Sequence, residues 1–225
     1  EITTETFTLT EENEVPFVII RAFRVATTGK PGPVHIRVPQ DIFSREVTNL
    51  ESPKKVYSRY PGHRPVAEKE KIRKSLKLIL ESERPLFICG GGVLFSQAWK
   101  EVEKLANLLN VPVGTTITGK GSIRETHPLS IGVIGARGGT SFSNALVKES
   151  DLIFYIGSNT DSAGTDHWQL PKTDTEKEII QLDISPEEIG NNYPVSVGLL
   201  GDAKATLGEM IGLVDEMGGK EKAKD

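Results

Sequence analysis

The residues best suited to chemistry in this chain are glycines that follow short apolar runs. A glycine at the end of a strand lets backbone N–H groups approach a phosphate, and the N-terminus of the next helix adds partial positive charge. Taken together, these glycines indicate a phosphate-bearing ligand of nucleotide size, although the ordinary chemistry of turns explains each of them equally well. They are Gly90, Gly91, Gly92, Gly119, Gly121, Gly157 and Gly201.

Polar side chains accompany these glycines. Asp183 ends the run EIIQLD and Asp202 follows Gly201, so both could accept hydrogen bonds from a ribose or an adenine edge. Arg137 is the best candidate for a cation at a phosphate, with a plain surface role as the alternative. Asp161 is either a ligand contact or a solvated loop residue. The chain has no GxGxxG and no GxxxxGK[ST] pattern, which excludes the usual dinucleotide fingerprint and a P-loop.

The cysteine, serine and histidine residues of the sequence indicate neither a catalytic residue nor a metal site. Cys89 lies in an apolar run and is predicted to be an unreactive core residue. Ser96 and Ser141 are predicted to be helix N-caps, because no GxSxG elbow surrounds them. The histidines are dispersed without the spacing of metal ligands; they are His35, His63, His127 and His167.

The elements that must position these residues alternate between strands and helices. Apolar runs of four to six residues (LFIC, VPVGTT, DLIFYIG, EIIQLDI and VSVGLLGD) are separated by helix-length stretches. Helices are predicted over 67–83, 96–110 and about 203–216. This alternation is typical of an α/β fold with a doubly wound, mostly parallel sheet covered by helices on both faces. One complete domain is therefore predicted at 66–216.

The segments on either side of 66–216 are predicted not to belong to this domain. Residues 1–43 form a helix and a strand that cannot bury a core alone, so they are expected to be the remnant of another domain. Residues 44–65 have no period and several prolines, which predicts a linker. The charged residues 217–225 are predicted to be a frayed tail.

Composition narrows the class of protein. The chain has 225 residues, with 27 Lys+Arg against 31 Asp+Glu and a formal net charge of −4, so nucleic acid is not an expected partner. No apolar run approaches the roughly 18 residues of a spanning helix, so no membrane is expected. A single cysteine excludes an internal disulfide and fits the reducing cytoplasm.

Several longer motifs resemble those of a known enzyme family. The stretches TGKPGPVHIRVPQD, RPLFICGGGV and LDISPEEIGNNYPV…GDAK resemble the thiamine-diphosphate enzymes of the acetolactate synthase type. Such enzymes have an N-terminal pyrimidine-binding domain, a central domain and a C-terminal diphosphate-binding domain. The resemblance implies that this chain is the end of the first domain, a linker and the whole central domain, with the other two domains as its missing partners.

The resemblance also implies where the chemistry lies. The family's activating Glu belongs to the first domain, and its Mg²⁺ motif, GDG…NN, belongs to the third. Here Gly201-Asp202 is followed by Ala203, and Asn191-Asn192 lies upstream, so thiamine diphosphate and Mg²⁺ are expected outside this chain and the chain alone is expected to be inactive. The implied parent forms or cleaves C–C bonds at 2-oxo acids as a homo-oligomer, either a dimer or a tetramer. A 2-oxoacid decarboxylase, a lyase or an acetyltransferase is the alternative parent.

The central domain of such enzymes holds FAD, ADP or part of a CoA-type ligand, or nothing. Flavin-binding synthases have GARFDDR where this chain has GSNTDSA, so two arginines become Asn159 and Ala163. Losing two cations beside a diphosphate weighs against FAD, and leaves ADP or an empty site. By the resemblance, the contact positions are Gly90, Gly91, Gly92, Thr116, Ile117, Thr118, Gly135, Ala136, Arg137, Gly157, Ser158, Asp161, Asp183, Ile184, Asp202 and Ala203.

Two interpretations in which the domain is not part of an enzyme remain open. The domain could be a stand-alone nucleotide-binding module, or a structural spacer with no ligand. The segment 1–43 counts against the first of these, because a self-sufficient module has no need of another domain's last strand.

Overall fold

A computed structural model of the protein describes residues 2–48 and 59–216, and these form two compact units divided between His63 and Arg64. The predicted tail at 217–225, and the part of the predicted linker at 49–58, lie outside the described residues. In the described ranges, every helix is too short or too polar to span a membrane.

The first unit holds two parallel strands and one long helix. Its elements are β1 (Glu5–Thr8), a 3-10 turn (Glu12–Glu14), α1 (Val15–Thr27), β2 (Val34–Arg37) and α2 (Gln40–Phe43). Helix α1 and strand β2 were predicted, but β1 was missed, because its sequence ETFT contains a single apolar residue. The guanidinium of Arg21 on α1 lies 5.3 Å from the ring centre of Phe7 on β1, which holds the helix to the strand pair.

The second unit is a six-stranded sheet in the order β5-β4-β3-β6-β7-β8, with every neighbouring pair parallel. This confirms the predicted fold class. The strands are β3 (Pro85–Cys89), β4 (Val113–Thr115), β5 (Ser130–Val133), β6 (Leu152–Ile156), β7 (Glu178–Asp183) and β8 (Val197–Leu200). The helices are α3 (Lys69–Glu81), α4 (Gly91–Ser96), α5 (Trp99–Leu109), α6 (Ser141–Glu149) and α7 (Ala203–Glu216).

Some local predictions were wrong. The edge strand β5 was missed because it is short and contains a glycine. The helix predicted over 96–110 begins later, as α5 at Trp99, and the short helix α4 before it was missed; Gln97, with a φ of 58°, ends α4. Ser96 is therefore the last residue of α4 rather than an N-cap of the helix that follows it. Ser141 is the first residue of α6, whose N-cap is Thr140; the Thr140 hydroxyl accepts the N–H of Ser143 at 3.0 Å.

Both faces of the sheet are buried, which explains why its strands read as continuous apolar runs. Phe87 and Cys89 face the cluster formed with α3, α5 and α7, whereas Leu86 and Ile88 face the cluster that contains Val147 of α6. The strand order reverses at β3, with β4 and β5 on one side and β6 on the other. In open parallel sheets, ligands bind beyond the carboxyl ends of the strands at such a reversal.

Candidate functional site

The predicted contact residues all lie at the carboxyl edge of the sheet, in or next to the loops that follow the strands. Gly90 to Gly92 follow β3, Thr116 to Thr118 follow β4, and Gly135 to Arg137 follow β5. The rest are Gly157, Ser158 and Asp161 after β6, Asp183 and Ile184 at the end of β7, and Asp202 and Ala203 after β8. The structure therefore brings the set to one edge, but it engages many of its members in internal contacts.

The glycine loops after β3 and β6 pack backbone against backbone. A Cβ on Gly90 would lie 2.3 Å from the carbonyl oxygen of Gly157, and a Cβ on Gly92 would lie 2.7 Å from Gly157 Cα. The N–H of Gly92 donates to this same Gly157 oxygen at 2.9 Å. Gly157 has a φ of +57°, which glycine adopts without strain. These three glycines seal the reversal point, so close approach of two loops accounts for them.

Gly91 and the threonines after β4 form a more open part of the edge. A Cβ on Gly91 would meet Thr118 at an ordinary contact distance of 3.5 Å. The hydroxyls of Thr116 and Thr118 lie 3.1 Å apart, and the Thr116 hydroxyl also accepts the N–H of Gly119 at 3.1 Å. Thr116 is buried, whereas Ile117 and Thr118 are exposed. This face presents neutral hydroxyl groups.

The loop after β5 leans on the loop after β6. A Cβ on Gly135 would lie 2.4 Å from the carbonyl oxygen of Ala163, and the N–H of Ala136 donates to that oxygen at 3.0 Å. Asn144 of α6 holds the same loop, because its Oδ1 accepts the N–H of Gly135 at 2.9 Å. Arg137, the cation of the predicted set, is exposed at the surface of this loop.

Side chains also organise the loop after β6. The Asp161 carboxylate accepts the N–H of Gly164 at 2.7 Å, and the buried Ser158 hydroxyl accepts the N–H of Thr160 at 3.2 Å. Asn192 donates to the Thr160 hydroxyl at 3.1 Å, which ties this loop to the segment before β8. Asp161 therefore shapes its own turn, in line with a loop residue.

Asp202 belongs to a buried cluster that the sequence analysis did not predict. The Arg64 Nη1 lies 2.9 Å and 3.1 Å from the two carboxylate oxygens of Asp202, and the Ser96 hydroxyl donates to Asp202 at 2.7 Å. Asp202 also accepts the N–H of Ala205 at 2.9 Å, while the Ser96 oxygen accepts the N–H of Lys204 at 2.8 Å. Both therefore cap α7. We call Arg64, Ser96 and Asp202 the Arg64 clasp.

The neighbouring predicted residues are also enclosed. The Asp183 carboxylate accepts the N–H of Ser185 at 2.9 Å, and the Asp183 carbonyl accepts the N–H of Gly201 at 2.9 Å. Ile184 is half-buried, and Ala203 is buried as the first residue of α7. The ends of β7 and β8 thus bind each other at this edge.

The one cysteine of the chain is placed in the core. Cys89 is fully buried in β3, and burial raises the pKa of its thiol far above the ordinary value, which confirms a core role. Among the residues that the structure describes, no group of three or more His, Cys, Asp or Glu could hold a metal ion.

The described residues also fit a dinucleotide poorly. The reversal point is sealed by glycine backbones, and the Asp202 carboxylate, with 6% of its side chain exposed, is held by Arg64. The loop after β6 carries Asn159 and Ala163, which supply no charge to a diphosphate.

Known proteins resemble this chain closely. Residues 72–210 match the family model described as thiamine pyrophosphate enzyme, central domain. The chain is 39% identical over 211 residues to the probable acetolactate synthase large subunit of Methanococcus aeolicus. This match covers 93% of this chain and 35% of that protein. It is 31% identical over 210 residues to the glyoxylate carboligase of Escherichia coli O157:H7, covering 93% and 35%. The fold is shared with the crystal structure of benzoylformate decarboxylase from Polynucleobacter necessarius, at a TM-score of 0.75 and 22% identity, covering 94% and 38%.

Proposed function

Because the chain belongs to the thiamine pyrophosphate enzymes and carries their central domain, we propose that the longer protein joins 2-oxo acids in a thiamine-diphosphate-dependent reaction. The leading activity is the formation of acetolactate and CO2 from two molecules of pyruvate. The observation that carries this proposal is the sequence identity with the acetolactate synthase large subunit, which extends over nearly the whole of this chain.

The reaction itself is assigned to domains outside this chain. Thiamine diphosphate, when bound, would supply the electron sink that loss of CO2 from a 2-oxo acid requires. The first and third domains of the longer protein, which this chain lacks, hold that cofactor and its Mg²⁺. We further propose that the protein is cytoplasmic, in keeping with its single buried thiol, and that it assembles as a dimer or a tetramer.

The central domain is proposed to act as a spacer whose carboxyl edge holds no FAD. Three features support this role: the sealed glycine loops, the Asp202 carboxylate held by Arg64, and the uncharged Asn159 and Ala163. ADP is the alternative ligand. Its adenosine would have to find an acceptor other than Asp202, because that carboxylate already has three donors from Arg64, Ser96 and Ala205.

The parent activity is tested on the whole protein with pyruvate, thiamine diphosphate and Mg²⁺. We expect one acetolactate for each CO2 released, with acetolactate measured as acetoin after acid treatment. Release of CO2 with free aldehyde and no acetolactate would instead establish a 2-oxo acid decarboxylase. Glyoxylate is the parallel substrate, because one relative is a glyoxylate carboligase; condensation of glyoxylate alone would move the assignment to that activity.

The spacer role is tested separately by heating the purified 225-residue chain and identifying the released small molecules by mass spectrometry. We expect no stoichiometric FAD or ADP. The same measurement after incubation with FAD and removal of the excess controls for loss during purification. One FAD per chain in either sample would show that the edge compensates for its missing cations and would overturn the spacer proposal.

A further inference from the structure

A second feature of the unit is an open groove of about 620 Å³ along helix α5. None of the predicted contact residues of the carboxyl edge lines it. The groove takes its apolar surface from Trp99 and Leu108, and its charges from Lys100, Glu103, Lys104 and Arg124. We call it the α5 groove.

The apolar side chain at one end of the α5 groove does not belong to the core. Helix α5 buries the face formed by Val102, Leu105 and Ala106, whereas Trp99 keeps 41% of its surface exposed. Tryptophan is costly to leave in water and is enriched where proteins meet other proteins. The groove thus displays an exposed aromatic ring beside its charged side chains.

The charges of the α5 groove are unbalanced. Glu103 is neutralised by Arg124, with 2.9 Å between Oε1 and Nη2. Lys100 and Lys104 stand four positions apart on one helix, and within the described ranges neither has a carboxylate partner. Like charges at this spacing repel each other on a helix. The groove therefore keeps an uncompensated positive pair on a chain whose formal net charge is −4.

We propose that the α5 groove binds an acidic, amphipathic segment of a partner protein, with carboxylates on Lys100 and Lys104 and an apolar side chain on Trp99. Charge complementarity selects an acidic occupant, and the exposed ring selects one with an apolar face. The open shape favours a protein segment over a small molecule, because small-molecule sites enclose most of their ligand. This interaction goes beyond the proposed enzymatic function and does not depend on it.

The test uses the 225-residue chain and a fluorescein-labelled synthetic peptide of Glu and Leu at helical spacing. The control probe is the matching peptide of Lys and Leu. We expect the Glu–Leu peptide alone to raise its fluorescence anisotropy saturably, and its affinity to fall at least fivefold when salt is raised, because exposed charges are screened. Absence of saturable binding, or equal binding of the Lys–Leu peptide, would overturn the proposal.

Variants distinguish binding in the α5 groove from nonspecific attraction between the peptide and the positive charges of the chain. Lys100→Glu should weaken the Glu–Leu peptide about tenfold or more with little change in Tm, because the attraction gained toward Lys104 is offset by repulsion from Glu103. Lys148→Glu makes the same change of charge at an exposed position of α6 and should leave the affinity unchanged. Trp99→Ala should also weaken binding. Equal loss in Lys148→Glu, or sedimentation that shows copies of the chain pairing through the groove, would reject the acidic partner.

Discussion

The six-stranded sheet is closed by different kinds of contact at its amino edge, where the strands begin, and at its carboxyl edge, where they end. At the amino edge, the Asp151 carboxylate accepts the N–H groups of Glu83 and Arg84 at 2.8 Å and 2.9 Å and the hydroxyl of Ser82. It thereby joins the turn before β3 to the turn before β6. At the carboxyl edge, the loops after the same two strands meet through the backbones of Gly90, Gly92 and Gly157.

This difference predicts different sensitivities. A carboxylate closes the amino edge through hydrogen bonds that depend on its charge, so that edge responds to pH. Between β3 and β6, glycines close the carboxyl edge through the absence of a Cβ, so this contact responds to added volume and not to pH. The Asp151 contact can therefore be weakened by protons, whereas the glycine contact can be opened only by displacing backbone.

The largest expected effect is that of a methyl group at the carboxyl edge. Gly90→Ala places a Cβ 2.3 Å from a carbonyl oxygen of Gly157, so the two loops must separate. We expect a loss of about 3 kcal/mol in the free energy of unfolding, at the upper end for overpacked sites. Urea unfolding followed by circular dichroism measures it.

Gly91→Ala is the matched control for that experiment. Its Cβ would meet Thr118 at 3.5 Å, an ordinary contact, and alanine is the better helix former at the start of α4. A change below about 1 kcal/mol is expected. Equal losses in the two variants would show that the loops after β3 and β6 are not packed as described.

An intermediate effect is expected from the Arg64 clasp, which closes the carboxyl edge by charge where the glycines do not reach. Arg64→Met leaves the carboxylate of Asp202, with 6% of its side chain exposed, without its cation. We expect a loss of about 2 kcal/mol in the free energy of unfolding, because a buried group loses a charged partner.

Arg73→Met is the control for the clasp. The Arg73–Glu216 pair is also an ion pair, but its side chains are 44% and 62% exposed, so its removal should cost less than about 0.5 kcal/mol. A clasp variant as stable as this control would mean that Asp202 finds a replacement for Arg64 in solution.

The smallest effect is the one that depends on pH. Burial tends to raise the pKa of Asp151, but the hydrogen bonds from Ser82, Glu83 and Arg84 outweigh it and lower the pKa overall. The stabilisation is therefore complete above the unfolded-state pKa, about 3.9, and is lost as pH falls through the lower folded-state pKa. Asp151→Asn should cost about 1 kcal/mol at pH 7, a value reduced for solvent exposure.

Urea unfolding from pH 7 down to pH 2.5 checks this prediction. The difference between the parent chain and Asp151→Asn should shrink across that range, while the cost of Gly90→Ala stays constant. Asp174→Asn, at an exposed loop position, is the control and should track the parent chain at every pH. A cost of Asp151→Asn that does not change with pH would contradict the charge-based closure of the amino edge.

Features that depend on residues close together in the sequence were predicted better than features that depend on contacts between distant residues. Apolar runs such as LFIC and the helical stripe of α3 depend on local periodicity, so the α/β sheet and the placement of the glycine loops at one edge were predicted correctly. The strands β1 (ETFT) and β5 (SIGV) were missed because neither contains an apolar run: β1 has a single apolar side chain, and a glycine interrupts β5.

The roles at the carboxyl edge escaped prediction for another reason. A glycine in a sequence shows that a Cβ is absent, but only the fold shows what fills its place; at Gly90 and Gly92 it is the loop that follows β6. Arg64 lay in a predicted linker, and no local pattern connects it with Asp202, its partner 138 positions later.

That separation also sets an order of events. A chain made from its N-terminus presents Arg64 when the strands β3 to β8 do not yet exist, and the guanidinium meets Asp202 only after the last strand has left the ribosome. Closing so long a loop is entropically costly until the intervening sheet has formed, so we expect the clasp to be made late in folding. Contacts absent from the folding transition state slow unfolding without hastening folding. The Arg64 clasp would thus act as a latch on the lifetime of the folded unit, closed when the rest of the unit is already assembled.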